Sequence, residues 1–158
     1  MLDRLLPRSL DRGFRGHWAA LWLLVPIVFL RIAISLLHIF SADGGVQSIS
    51  TIPLDSYPPG AAQNIIAIFA RMGLDQLILG VLCVVVLLRY RALIPLMYAL
   101  IVLQYVAEKG VAHFKPLSLA GTSAASTPAL VLTVLSAAGL VLSLVGKAYA
   151  ADARPVAP

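Results

Sequence analysis

The stretch that most limits what this chain can fold into runs from Gln63 to Leu88. It is apolar and long enough to cross a bilayer, for which about 20 residues suffice. Its first half nevertheless carries Arg71, Asp75 and Gln76. Arg89-Tyr90-Arg91 then reverses the chain into a second apolar run after only a few residues. Ionisable side chains inside a spanning helix are costly, so where they fall is the most informative feature of the sequence.

Four apolar runs have spanning length: 18–40, 63–88, 92–112 and 128–148. The third is the weakest, because Gln104, Glu108 and Lys109 crowd its end. The segment 41–62 holds Asp43-Gly44-Gly45, Pro53 and Tyr57-Pro58-Pro59-Gly60, which is turn chemistry, with the paired prolines suited to the start of a helix. The segment 115–127 is a Ser/Thr/Ala/Gly loop, with Ser126 or Thr127 as N-cap and Pro128 at the first helical position. The expected fold is therefore all-α: a polytopic membrane protein with four transmembrane helices in an up-down antiparallel bundle, one domain over 18–148. It is flanked by a basic leader, 1–17, and a tail, 149–158.

Composition agrees with lipid as the solvent. Of 158 residues, 60% are hydrophobic and only 12% charged, against about 25% charged in soluble domains. The net charge of +5 does not point to nucleic acid, because Lys and Arg sit at the ends of apolar runs rather than in a patch. Arg4, Arg8, Arg12 and Arg15 precede the first run, Arg89 and Arg91 occupy the short turn, and Lys147 and Arg154 follow the last run. The segment 41–62 has no Lys or Arg and contains Asp43 and Asp55. The positive-inside rule then places both termini and the short turn in the cytoplasm, against the single dissent of Lys109 and Lys115. Trp18 and Trp22 fall at the inner interface and Tyr57 at the outer one.

The apolar run after the leader exceeds a signal-peptide core of about 7–15 residues, and Ser41-Ala42-Asp43 is a poor cleavage site, so the first span is expected to stay. Leu2, Leu5, Leu6 and Leu10 with the leader arginines make a basic amphipathic segment, interrupted by Pro7, that could lie on the inner membrane surface or be solvated. Pro26 removes a backbone donor within the first helix and predicts a kink. Thr133, Ser136, Gly139, Ser143 and Gly146 form a stripe of small residues on the last helix, read as a packing seam inside the monomer rather than between copies.

Counting depth at about 1.5 Å per residue puts Arg31 roughly 13 Å below the outer surface, Asp75 roughly 15 Å, Arg71 roughly 9 Å, Gln104 roughly 12 Å and Glu108 roughly 6 Å. Arg31, Ser35 and His38 share one face of the first helix, Arg71 and Asp75 one of the second, and Gln104 and Glu108 one of the third. The expected site is thus a polar intramembrane cluster in the outer half: Arg31, His38, Arg71, Asp75, Gln76, Gln104 and Glu108. Asp75 and Gln104 would serve Arg31, and Asp75 or Glu108 would serve Arg71, because a lone mid-span charge costs about 3 kcal/mol. Three uses compete: an ion network that fixes helix register, a pocket for a lipid head group, quinone or small anion, and proton or ion transfer.

His38 and His113 do not form the helix-embedded pair that haem ligation needs, the one ending a span and the other expected in a loop, and His17 belongs to a solvated leader. Cys83 is a lone cysteine in an apolar run, with no zinc-ligand spacing around it. No serine lies in a nucleophile motif, so no catalytic residue, metal or cofactor is assigned. The run from Leu88 to Tyr98, with Phe14-Arg15-Gly16-His17-Trp18 upstream, resembles small four-helix inner-membrane proteins of bacteria, a resemblance that implies fold and location only. The reading that results is a non-enzymatic accessory or small-ligand-binding membrane component. The alternatives are a membrane enzyme or redox component handling a lipid or quinone, or a proton- or ion-conducting protein. Its partners are the lipid bilayer and either a membrane protein complex or a homo-oligomer.

Overall fold

The computed structural model describes Leu5 and residues 13–145. Their regular structure is helical, with no strand among the described residues: α1 (Trp18–Phe40), α2 (Pro59–Arg89), α3 (Ile94–Phe114) and α4 (Ser126–Leu144), plus short 3-10 turns at Leu54–Ser56 and Arg91–Leu93. All four helices are long and apolar enough to cross a membrane. The amphipathic part of the leader, the tail, and Gly146 of the small-residue stripe lie outside the described residues.

The expected bounds shift at three helices. Pro59 occupies the first turn of α2, where its missing N–H is harmless, so that helix starts four residues before the expected 63. α3 continues to Phe114, which puts His113 in its last turn rather than in a loop. α4 begins at Ser126 with Ala125 as its cap residue, so neither Ser126 nor Thr127 caps it, and it ends at Leu144. The Ser126 hydroxyl instead donates to the carbonyl of Ser123 (2.8 Å). His17 is not merely solvated either. Its Nδ1 accepts from Ala19 N–H (3.2 Å) and caps α1.

α1 is the organising helix and runs unbroken through Pro26. Its buried positions, Ala20, Leu24, Ile27, Val28, Arg31, Ser35 and His38, recur at threes and fours and form one continuous face. α2 packs along it through two glycines: a Cβ on Gly73 would lie 2.7 Å from the Cβ of His38, and one on Gly80 would lie 2.9 Å from Ile32. α4 packs on both α1 and α3, whereas α2 and α3 touch little. The main apolar core is built from Leu24, Ile27, Cys83, Ile94, Tyr98, Ile101 and their neighbours.

At the end formed by residues 13–17 and Leu142–Ser143, the chain before α1 is docked: His17 N–H donates to Leu142 O (3.0 Å), and a Cβ on Gly16 would overlap the Ser143 carbonyl at 2.5 Å. Ser136, Gly139 and Ser143 are buried within the chain, so their close approach serves internal packing.

A second, smaller core of Val46, Ile52 and Leu54 sits at the opposite end, against Tyr57, Ile65, Ile66 and Phe69. The loop that carries it is wound around Asp43. That carboxylate accepts the N–H groups of Gly45 (2.9 Å), Gln47 (3.2 Å) and Ser48 (2.8 Å), and Gly44 and Gly45 supply the positive φ (61° and 72°) the winding needs. Burial alone would raise the Asp43 pKa, but those donors outweigh it and hold the carboxyl at about 2. The loop before α4 closes on this one: Ala120 N–H donates to Thr51 O (2.9 Å) and Ala124 N–H to Ile49 O (3.1 Å).

Candidate functional site

Arg31 lies in the middle of the inward stripe of α1 and is 4% exposed. It is inward because the stripe that carries Leu24, Ile27 and Val28 continues through it at helical spacing, and Ser35 and His38 follow one and two turns on. The Ser35 hydroxyl donates to the Arg31 carbonyl (2.7 Å), which disposes of a buried hydroxyl without help from another helix. Arg31 Nη2 donates to Gln104 Oε1 on α3. Gln104 Nε2 in turn donates to Glu108 Oε1 (2.9 Å). The guanidinium carbon stands 5.8 Å from the centroid of the Tyr105 ring, within cation–π range.

This chain places one amide between the cation and its acid. Gln104 faces Arg31 with its oxygen and Glu108 with its NH2, so it relays opposite polarity to each without direct contact between the charges. Glu108 is exposed, as is every residue from Val106 to Phe114. Arg31 Nε is buried and has no hydrogen-bond partner, and Arg31 forms no ion pair with a carboxylate among the described residues. An unsatisfied buried donor costs about 1–3 kcal/mol, more when charged. One acceptor is therefore in place and one buried donor is left unpaired.

The other expected members sit elsewhere. Asp75 does not pair with Arg31, and Arg71 pairs with neither Asp75 nor Glu108. Gly73 faces α1, and a helix turns about 100° per residue, so Arg71 and Asp75 each point about 160° away from that contact. Both are exposed. Register separates them as well. Gly73 is level with Ser35 and His38, and Gly80 is level with Ile32. Asp75 thus lies about 7 Å along the axis from the level of Arg31, not beside it. Counting depth from Ile65 misplaced α2, because its first turns rise beyond α1 to carry the small core formed with Ile65, Ile66 and Phe69. Gln76 is half-buried.

His38 is buried at the end of α1. Its Nδ1 lies 2.7 Å from the Gly44 carbonyl, so Nδ1 carries the proton and donates to it. The ring meets the edge of Phe69 (5.9 Å), and a Cβ on Gly45 would press on it at 3.1 Å. His38 therefore fastens the outer loop to α1. His113 is distant from any such role, exposed at the end of α3 against Phe114. Among the described residues no three His, Cys, Asp or Glu side chains group as metal ligands.

One residue was missed by reading the sequence. Tyr98 is fully buried and crosses from α3 to α1, where its hydroxyl donates to the Ala20 carbonyl (2.7 Å). It fits because α4 presents Gly139, whose added Cβ would fall 2.2 Å from the ring. The signal available was the pairing of a span-embedded tyrosine with a glycine in a small-residue stripe. No family model, curated protein or solved structure matches this chain.

Proposed function

We propose that this chain is a multi-pass membrane protein, an up-down antiparallel four-helix bundle with both termini on the cytoplasmic side. It acts as a non-enzymatic component that holds a small ligand at Arg31. The basic short turn, Arg89 and Arg91, and the Lys- and Arg-free loop around Asp43 support the orientation. The observation that carries the ligand reading is the unpaired Nε of a buried guanidinium.

The chemistry that this N–H recognises is an oxygen acceptor: a carboxylate, a phosphate or a quinone carbonyl on a membrane amphiphile. Access favours the side between α2 and α3, which touch little, past the exposed last turns of α3. Gln104, held by Glu108, fixes the guanidinium plane, so the unpaired Nε is oriented before a ligand arrives.

The test is purification of wild type and Arg31→Met in native lipid, followed by mass spectrometry of the small molecules that remain bound. A stoichiometric acidic or carbonyl-bearing amphiphile on wild type, lost from Arg31→Met, is the expected result. Identical bound molecules on the two proteins would end the proposal and leave Arg31 a structural residue.

A further inference from the structure

The chain just before α1 carries a titratable group that fastens two helix ends at once. His17 is the cap residue of α1, and its Nδ1 accepts the Ala19 N–H at 3.2 Å. Its backbone N–H donates to the Leu142 carbonyl at 3.0 Å. α4 ends two residues further on, at Leu144, so no N–H of that helix reaches this carbonyl. One residue thus completes the start of α1 and the end of α4.

The contacts around it are of another kind. Phe14 packs against the main core, and Gly16 crosses α4 so closely that an added Cβ would lie 2.5 Å from the Ser143 carbonyl oxygen and 2.8 Å from its Cα. Ala20 N–H donates to the His17 carbonyl at 2.9 Å. These contacts contain no group that titrates near neutral pH. Residues 13–17 are therefore a strap across the end of the bundle, held by apolar packing, backbone hydrogen bonds and an imidazole nitrogen.

That nitrogen accepts only while the imidazole is neutral and carries its proton on Nε2. A second proton takes the lone pair that the Ala19 N–H uses and sets a cation against the positive end of the α1 dipole. His17 is exposed, so protons reach the ring from solvent. The described surroundings do not reverse the sign. Arg15 on the strap is a cation, and residues 18–21 of α1 and 140–145 of α4 include no acid.

We propose that residues 13–17 form a pH-sensitive strap, closed on α4 while His17 is neutral and loosened when it is protonated. The strap is closed at about pH 8 and opens as pH falls toward about 5, the span in which histidines change charge. Phe14 and Gly16 keep their contacts with the bundle in the closed form, so the fold persists and the change is in how often the strap lifts. A lost cap and an added repulsion together raise that opening by about tenfold. Each opening frees the Leu142 carbonyl and the last turn of α4.

The test follows amide exchange by NMR on the 15N-labelled full chain in detergent micelles, each rate divided by the intrinsic rate at the same pH. From about pH 8 to about pH 5, protection of the amides of residue 17 and Ala19 should fall together by about tenfold. His17→Asn keeps a capping oxygen that does not titrate, so both amides should stay protected across the range. His17→Ala should show the low protection throughout. Wild-type protection that does not change, or a His17→Asn variant that loses it in step with wild type, would each overturn the proposal. So would an Ala19 amide that loosens while that of residue 17 stays held, which confines the effect to the α1 cap. Protection lost along the whole of α1 would overturn it too, because the bundle rather than the strap would then be opening.

Discussion

Two long side chains cross the interior between α1 and α3, and they are finished to different degrees. Tyr98 reaches the Ala20 carbonyl at 2.7 Å and fills the hollow left by Gly139, so its ring and its hydroxyl are both accounted for. Arg31 reaches Gln104 with one nitrogen and leaves Nε without an acceptor. A satisfied polar crossing stabilises the packing around it, whereas a half-satisfied one weakens it unless something else completes the set. The contrast separates a completed crossing from one that keeps an unpaired donor, although both are buried polar groups between the same two helices.

The largest expected effect tests the finished crossing. Gly139→Val should destabilise the protein by about 3 kcal/mol, because the added carbons occupy the Tyr98 ring position and a packed core cannot absorb them. Unfolding in mixed micelles, followed by circular dichroism, measures it; wild-type stability would mean that Tyr98 has another place to go.

The outer loop offers the next. Asp43→Ala removes a carboxylate that three backbone N–H groups donate to and should cost about 2 kcal/mol. The pH dependence has a fixed sign. The folded carboxyl is held near 2, below its ordinary 3.8, so its stabilisation is complete above the ordinary value and is lost as pH falls toward 2. The stability difference between wild type and Asp43→Asn should therefore shrink between about pH 5 and about pH 2 in a series of thermal melts. A difference that grows on acidification would show that the carboxylate does not hold the loop.

Tyr98→Phe keeps the ring and deletes the hydroxyl, so about 1 kcal/mol should be lost, as for one buried hydrogen bond. Arg31→Met should change stability least, staying within about 1 kcal/mol of wild type or gaining slightly, because a buried charge lacking a counter-ion contributes little net stabilisation. A loss for Arg31→Met larger than that for Tyr98→Phe would erase the distinction between the two crossings.

How far the sequence reached can be judged from α2. Its existence, its proline start and its basic end are legible in Pro58-Pro59 and Arg89-Tyr90-Arg91. Arg71 and Asp75 were expected to face inward and face outward instead, as Gly73 and Gly80, seven residues apart, mark the face that approaches α1. Those glycines were a readable signal, and two residues either side of Gly73 is the opposite side of a helix. Arg31 and Gln104 were grouped by depth, and they do meet, because both are buried or half-buried positions on inward faces. His38 was grouped with the polar cluster because nothing local shows that the Gly44 carbonyl folds back over it.

By itself, then, the sequence determined how many spanning-length helices there are and where the chain turns. Length, hydropathy and the placement of Pro, Gly and Arg act locally, and local signals suffice for that. Only the tertiary structure decided which side of each helix faces inward. In water the apolar stripe of a helix announces its buried face, but here apolar side chains cover the outside as well, as exposed Phe29, Ile78, Leu103 and Val134 show. The inward face is set instead by where a glycine lets a neighbouring helix come close: Gly73 against Ser35 and His38, Gly80 against Ile32, and Gly139 against the Tyr98 ring. That is a property of helix pairs, and no single helix carries it.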